Sequence, residues 1–232
     1  MEFAVDGPKA IPLWINGRAF LTVTPSFFDV VNPVSGEAVY RVPLCGADEA
    51  AEAATAASAA RPAWAALAPA ARQASLNALA DALEGYAGHF AKLLRGDTGL
   101  AEAAAAADVA AAVAALRGAE VGEPGVVAIV VDATRPLAGL AEAAAPALRA
   151  GACVIVKPSP KAPSAAYALC ELSGRAGWPG GVLNLLQGDT EAIAGLCAAA
   201  IDRLAYAGEA ALGAQVGAMA AAAGKPFAMQ AA

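Results

Sequence analysis

The sequence predicts an α/β fold: a doubly wound (Rossmann-like), mostly parallel five-stranded sheet, preceded by an N-terminal layer of strands and helices. Three observations carry this. Residues 126–131 are a continuous apolar run, a Pro136-led helical segment follows to residue 149, and a second apolar run covers 152–156. Apolar run, helix, apolar run is a βαβ unit with both strands buried. The alternation then continues, with strands expected at 182–186, 202–206 and 225–230, as a doubly wound sheet requires. The first part of the chain is different, with short extended pieces followed by a run of helices. We divide the chain at 1–120 and 121–232, the two parts forming one structural unit.

In order, residues 1–12 read as a loose arm. Extended pieces follow at 13–16, 27–31 and 38–43, with turn signals at Asn16-Gly17 and Ser35-Gly36. Asp48 and Glu49 open a helix to about residue 60, where acidic residues suit the helix dipole. Pro62 is expected to interrupt it. Pro69 starts a second helix, with Leu76, Leu79 and Leu83 on one face. Residues 86–95 form a third, with Phe90, Leu93 and Leu94 turned inward, and Asp97-Thr98-Gly99 closes the unit. A helix over 101–116 is almost all Ala, so its faces lack bulk. Past the βαβ unit, a helix over 162–176 has Pro163 near its start. Thr190 caps a helix to about 200, and a last helix opens at Gly208 and ends near Gly224.

Composition narrows the function classes. The 232 residues suffice for a domain with a real core. Much of the 59% hydrophobic content is Ala, which favours helix and buries little area. A net charge of −6 argues against a nucleic-acid surface. The four cysteines (Cys45, Cys153, Cys170, Cys197) form no CxxC pair, and the single histidine, His89, reads as a helix-surface residue, so no metal site is expected. Cys45, at a strand end, is the most exposed in this reading. The chain has no run of about 20 strongly apolar residues and no charged-then-apolar leader. A cytoplasmic protein with reduced thiols and no membrane contact is the expectation.

Several motifs keep order and spacing over more than 100 residues. Pro136-Leu137, Pro146-Ala147-Leu148, Gly151 and Lys157-Pro158-Ser159 are in step, and G-W-P-G-G-V-L-N-L-L-Q-G runs from Gly177 to Gly188. Upstream stand W-I-N-G-R from Trp14, V-N-P-V-S-G-E from Val31, then Trp64 and Arg72. Together they resemble the aldehyde dehydrogenase superfamily. The resemblance implies a dinucleotide-binding unit whose catalytic domain, with its nucleophilic Cys, is absent from this chain. In the family the interval between Gly99 and Pro124 is longer and carries a β-ribbon arm used in oligomerisation. Its shortness here argues against that arm and the usual tetramer.

The resemblance also assigns positions, and most are altered. The oxyanion-hole Asn of Pro-Trp-Asn-x-Pro-Leu falls on Thr134 and the Trp on Ala133. The competing reading of Thr134 is a cap for the Pro-led helix. The general-base Glu of Glu-Leu-Gly-Gly-Lys falls on Gln230, a neutral amide that takes no proton near pH 7, and Ala232 replaces a Gly. None of the four cysteines has a base in sequence reach, so no catalytic residue is assigned. The cofactor positions are vestigial: Lys157, Ser159, Gly188 and Gly208 are kept, Pro160 replaces a ribose-binding Glu, Asp189 stands where a small residue is common, and Glu209 replaces the Ser opening the helix under the pyrophosphate. A Glu209 carboxylate is expected to cap that helix and repel phosphate. The competing reading of Lys157 is an exposed lysine at a strand end. No cofactor is expected, only a remnant NAD(P) site.

The expected function is a catalytically inactive structural, assembly or scaffold subunit for a protein partner or homo-oligomer. In the superfamily, non-catalytic domains of this kind occur fused to active enzymes, so an active aldehyde dehydrogenase is one partner the resemblance implies. The alternative is the cofactor-binding half of a split NAD(P)-dependent aldehyde dehydrogenase completed by another chain.

Overall fold

A computed structural model describes residues 8–22 and 26–231. Part of the expected arm, residues 1–7, and Ala232 lie outside the described residues. The rest of the arm is not loose. The Ile11 N–H donates to the Arg41 carbonyl at 2.8 Å and the Arg41 N–H to the Lys9 carbonyl at 3.1 Å, and Ile11 is buried.

The N-terminal strands are β1 (Leu13–Ile15), β2 (Arg18–Phe20), β3 (Phe27–Val31) and β4 (Ala38–Pro43). The helical layer follows as α1 (Ala47–Ala66), α2 (Pro69–Gly85), α3 (Ala87–Thr98) and α4 (Glu102–Arg117). The C-terminal part alternates: β5 (Val126–Val131), α5 (Ala138–Arg149), β6 (Cys153–Pro158), α6 (Ser164–Arg175), β7 (Leu183–Leu185), α7 (Thr190–Ala198), β8 (Arg203–Gly208), α8 (Ala210–Ala222) and β9 (Phe227–Ala231). The chain passes from α4 to β5 with no β-ribbon between them.

The five expected strands pair in parallel in the order β7-β6-β5-β8-β9. The sheet itself has seven strands, a correction to the five-stranded reading. The β1–β2 hairpin adds to its edge, β1 running antiparallel to β7 through Trp14 opposite Leu185. Gly180 and Gly181 permit this approach. A side chain on Gly180 would collide with the Asn16 backbone, and one on Gly181 with the Ala56 carbonyl of α1. The β3–β4 hairpin stands apart as a second sheet.

Pro62 does not interrupt α1. It is exposed, as is Ser58, whose carbonyl loses its helical partner; a carbonyl open to solvent can bond water, which lowers the usual penalty. The next turn is anchored because the buried Trp64 donates its Nε1–H to the Leu148 carbonyl at 3.0 Å and stacks on Trp178 at 5.4 Å. Arg72 and Arg149 bind the helical layer to α5. The Arg72 guanidinium donates to the carbonyls of Arg149, Ala65 and Leu67. The Arg149 guanidinium donates to those of Ala115, Leu116 and Glu120. One hydrophobic core runs from Leu13 to Ala220 through both parts of the chain. Among the described residues, no helix is long and apolar enough to cross a membrane.

Candidate functional site

Strand order fixes where a ligand crevice lies. From β5 the chain steps outward to β6 and β7 on one side, then returns to β8 and β9 on the other. The switch point therefore falls between β5 and β8, and open α/β sheets bind ligands beyond the strands' carboxyl ends at such a point. The residues there are Asp132, Ala133 and Thr134 after β5, and Gly208 and Glu209 at the start of α8.

Asp132 fills this crevice. Its Oδ1 accepts the Thr134 hydroxyl at 2.5 Å and the Thr134 N–H at 2.9 Å. Its Oδ2 accepts the Glu209 N–H at 2.7 Å and the Tyr206 hydroxyl at 3.0 Å. Burial pushes the Asp132 carboxyl up, but these four donors outweigh it and hold the group below the usual carboxylate range. Burial, then the bond to Asp132, pushes the Tyr206 hydroxyl up. Gly208 has φ 148°, a conformation open to glycine, and a side chain on it would overlap the Asp132 carboxylate.

Two expectations change as a result. Thr134 is not a helix cap: α5 has no side-chain cap from it, and its hydroxyl is committed to Asp132. Leu137 and Ala138 N–H instead donate to Asp108 Oδ2 of α4 at 3.1 and 3.3 Å. Glu209 sits at the N-cap of α8 but makes no side-chain cap bond; its carboxylate is exposed. The anion at that terminus is Asp132. The same device recurs at α6, where the Ser164 N–H and hydroxyl donate to Asp97 at 2.9 and 2.8 Å. Carboxylates suit helix N-termini because they meet unpaired N–H groups and the positive end of the dipole. At this edge of the sheet the chain's own aspartates meet the N-termini of α5 and α6 and the N-cap N–H of α8.

Lys157 is not an exposed strand-end lysine. It is 3% exposed and makes no hydrogen bond to any described residue. Burial pushes its ammonium down to about 8, against the charge of Asp189 at the start of α7. Lys157 lies opposite Val130, and Val130 opposite Tyr206. Laterally paired residues point to one face, so Lys157 and Tyr206 share the face that α8 covers, where Tyr206 meets Gly213.

The other retained positions do structural jobs. The Ser159 hydroxyl accepts the Lys161 N–H at 3.3 Å inside the turn before α6. Gly188 (φ 126°) lies against Cys45 and Ala192, leaving no room for a side chain. Pro160 is buried, while Asp189 is exposed and caps α7 through its backbone, one residue before the expected Thr190. Gln230 lies on exposed β9 and donates to Glu142 at 3.2 Å. His89 is exposed, edge-on to Phe90.

All four cysteines are buried, Cys45 included, so the expectation that Cys45 is exposed fails: its strand end is covered by the Gly188 loop. Burial pushes the Cys45 and Cys153 thiols up to about 12 and raises those of Cys170 and Cys197. A nucleophilic cysteine needs the opposite shift. Among the described residues no His, Cys, Asp and Glu group is arranged to hold a metal.

An NAD(P) phosphate fits this crevice poorly. The Asp132 carboxylate at the N-cap of α8 would face the phosphate with a like charge, although the buried Lys157 ammonium makes no hydrogen bond. Asp132, Asp108 and Tyr206 were missed in the sequence. Only Asp132 carried a signal there: a lone acid ending an apolar run at the carboxyl edge of a βαβ unit.

Comparison with known proteins agrees with the fold. Residues 21–121 and 121–231 match the model of the Aldehyde dehydrogenase family. A betaine aldehyde dehydrogenase from Vibrio vulnificus is 30% identical over 94% of this chain and 50% of its own length. A succinate-semialdehyde dehydrogenase [NADP(+)] from Escherichia coli is 28% identical over 77% of this chain and 42% of its own. Aldehyde dehydrogenase C of Pseudomonas syringae, solved as a C291A mutant with NAD+ and octanal, superposes with a TM-score of 0.87 at 27% identity, over 96% of this chain and 50% of its own. Lactaldehyde dehydrogenase from Escherichia coli superposes at 0.88 with 23% identity, a likeness of fold. The chain spans about half the length of these relatives.

Proposed function

The chain belongs to the aldehyde dehydrogenase family, and we propose that it serves there as a non-catalytic member, a structural or assembly subunit for a protein partner or for further copies of itself. The observation that carries this reading is the Asp132–Thr134 pair. The side chain at the oxyanion position is already bonded to a carboxylate, and a negative charge beside a developing oxyanion opposes the chemistry that a hydrogen-bond donor there assists. Gln230 at the base position and four buried thiols with raised pKa support the same reading.

An assembly role is supported by α8. It carries no charged side chain and buries only Gly213, Val216 and Ala220. Leu212 on α8 and Met229 on the neighbouring β9 stay 42% and 47% exposed. Apart from Gln215 its exposed residues are Ala and Leu, and an exposed face of that kind is ordinarily covered. An active aldehyde dehydrogenase is the partner class we favour, since such a relative shares the fold. The second reading, the cofactor half of a split dehydrogenase, is favoured by the buried, unpaired Lys157.

Calorimetric titration with NAD and NADP, together with an aldehyde-oxidation assay, separates the two. The non-catalytic reading expects neither binding nor turnover. Micromolar cofactor binding, or turnover on adding a Cys-bearing chain, would replace it with the split enzyme.

A further inference from the structure

We infer that Asp132 determines the specificity of the switch-point crevice: its carboxylate sits at the N-cap of α8, beside the place a ligand phosphate would take, so the crevice refuses phosphorylated ligands. This rests on reading the unit as a dinucleotide-binding type, and it names what closes that site. Three observations carry it. The crevice is where the sheet topology puts a ligand. The N–H of Glu209, the N-cap residue of α8, is held by Asp132 Oδ2 at 2.7 Å, with Tyr206 donating to the same oxygen, which sets a carboxylate beside the helix end where a phosphate would seat. On the same face of the sheet Lys157 is 3% exposed and unpaired, a buried cation such as an anionic ligand would use.

The geometry also separates Asp132 from Glu209. Glu209 points its carboxylate to solvent, where water and salt screen it. Asp132 is 8% exposed and fixed by four hydrogen bonds. A phosphate entering the crevice must displace it or sit against it at short range, where like charges in a partly buried place repel strongly. Neutralising Asp132 removes that charge, and an amide there offers a donor in its place.

The test uses inorganic pyrophosphate and NAD as probes on the full chain, with calorimetry and the backbone amide resonance of Glu209 as readouts. The wild type is expected to bind neither, with no shift of the Glu209 amide. Asp132→Asn is expected to bind pyrophosphate at least tenfold more tightly, with that amide shifting, and Glu209→Gln is expected to match the wild type. Asp132→Ala, which empties the place, serves if the Asn variant fails to fold. A wild-type amide shift with pyrophosphate overturns the inference, as does a folded Asp132 variant with no gain, or a gain in Glu209→Gln equal to that in Asp132→Asn. None of these outcomes bears on the assembly reading, which is tested by mass.

Discussion

Thr134 is bonded to Asp132 twice, through its hydroxyl at 2.5 Å and its N–H at 2.9 Å. The residue that the family pattern puts at the oxyanion position is therefore part of a closed carboxylate cluster. Thr134→Val keeps the shape and deletes one donor. It should lower stability by about 1.5–3 kcal/mol, the scale of a hydrogen bond to a charged group, as read from the urea midpoint. An unchanged midpoint would mean that water replaces the hydroxyl at no cost.

Asp97 couples α3 to α6 and should make stability depend on pH. Burial pushes its carboxyl up to about 6 from 3.8, against two bonds from Ser164. Because the folded value is raised, its contribution is full below about 3.8 and is lost as pH rises through about 6. Between pH 4 and 7 the wild type should lose on the order of 2 kcal/mol relative to Asp97→Asn. Denaturant titrations of both proteins across that window check this; parallel curves would show that Asp97 titrates normally.

Lys157 has the opposite sign. Its folded value is depressed to about 8 from 10.5, so its contribution is present above about 10.5 and lost as pH falls through 8. With no ligand, Lys157→Met should be more stable than the wild type at pH 7, on the order of 3 kcal/mol. Thermal unfolding of the two proteins decides, and a less stable variant would mean that the ammonium has a partner in solution.

Asp108 caps α5 from α4 through Leu137 and Ala138. Asp108→Ala should cost about 1–2 kcal/mol, as lost N-caps do, with hydrogen exchange fastest in the first turn of α5. Uniform exchange across the helix would argue that the cap is not what holds that end.

The thiols give a simple check on the absence of a nucleophile. All four are buried, with pKa values raised by burial. A thiol reagent at pH 8 should label none of them in the native protein and all of them in denaturant. One fast-reacting thiol would reopen a catalytic role.

The βαβ core was legible because buried parallel strands are written as unbroken apolar runs, as in residues 126–131, and because Leu76, Leu79 and Leu83 repeat at helical spacing. The β1–β2 hairpin's place on the sheet was not, since joining β7 depends on Gly180 and Asn16, 164 positions apart, meeting in space. Pro62 misled because the penalty for proline in a helix depends on whether water reaches the freed carbonyl, which the sequence does not show. The site was half legible. Thr134 and Gln230 stood out by comparison with a motif. The carboxylates that fill the helix N-termini arrive from distant segments, such as Asp108 to Leu137 and Asp97 to Ser164, and local pattern does not reveal such pairings. Cys45 was misplaced for the same reason: the Gly188 loop that covers it is remote in the chain.

The proposed function is association rather than catalysis. Light scattering coupled to size exclusion tests it most directly, on the protein alone over a hundredfold concentration range and mixed with an active aldehyde dehydrogenase of the same organism. A mass above one chain is expected, alone or in the mixture, and its loss in Leu212→Glu on the uncharged α8. A single-chain mass at every concentration, with no co-elution, would contradict it.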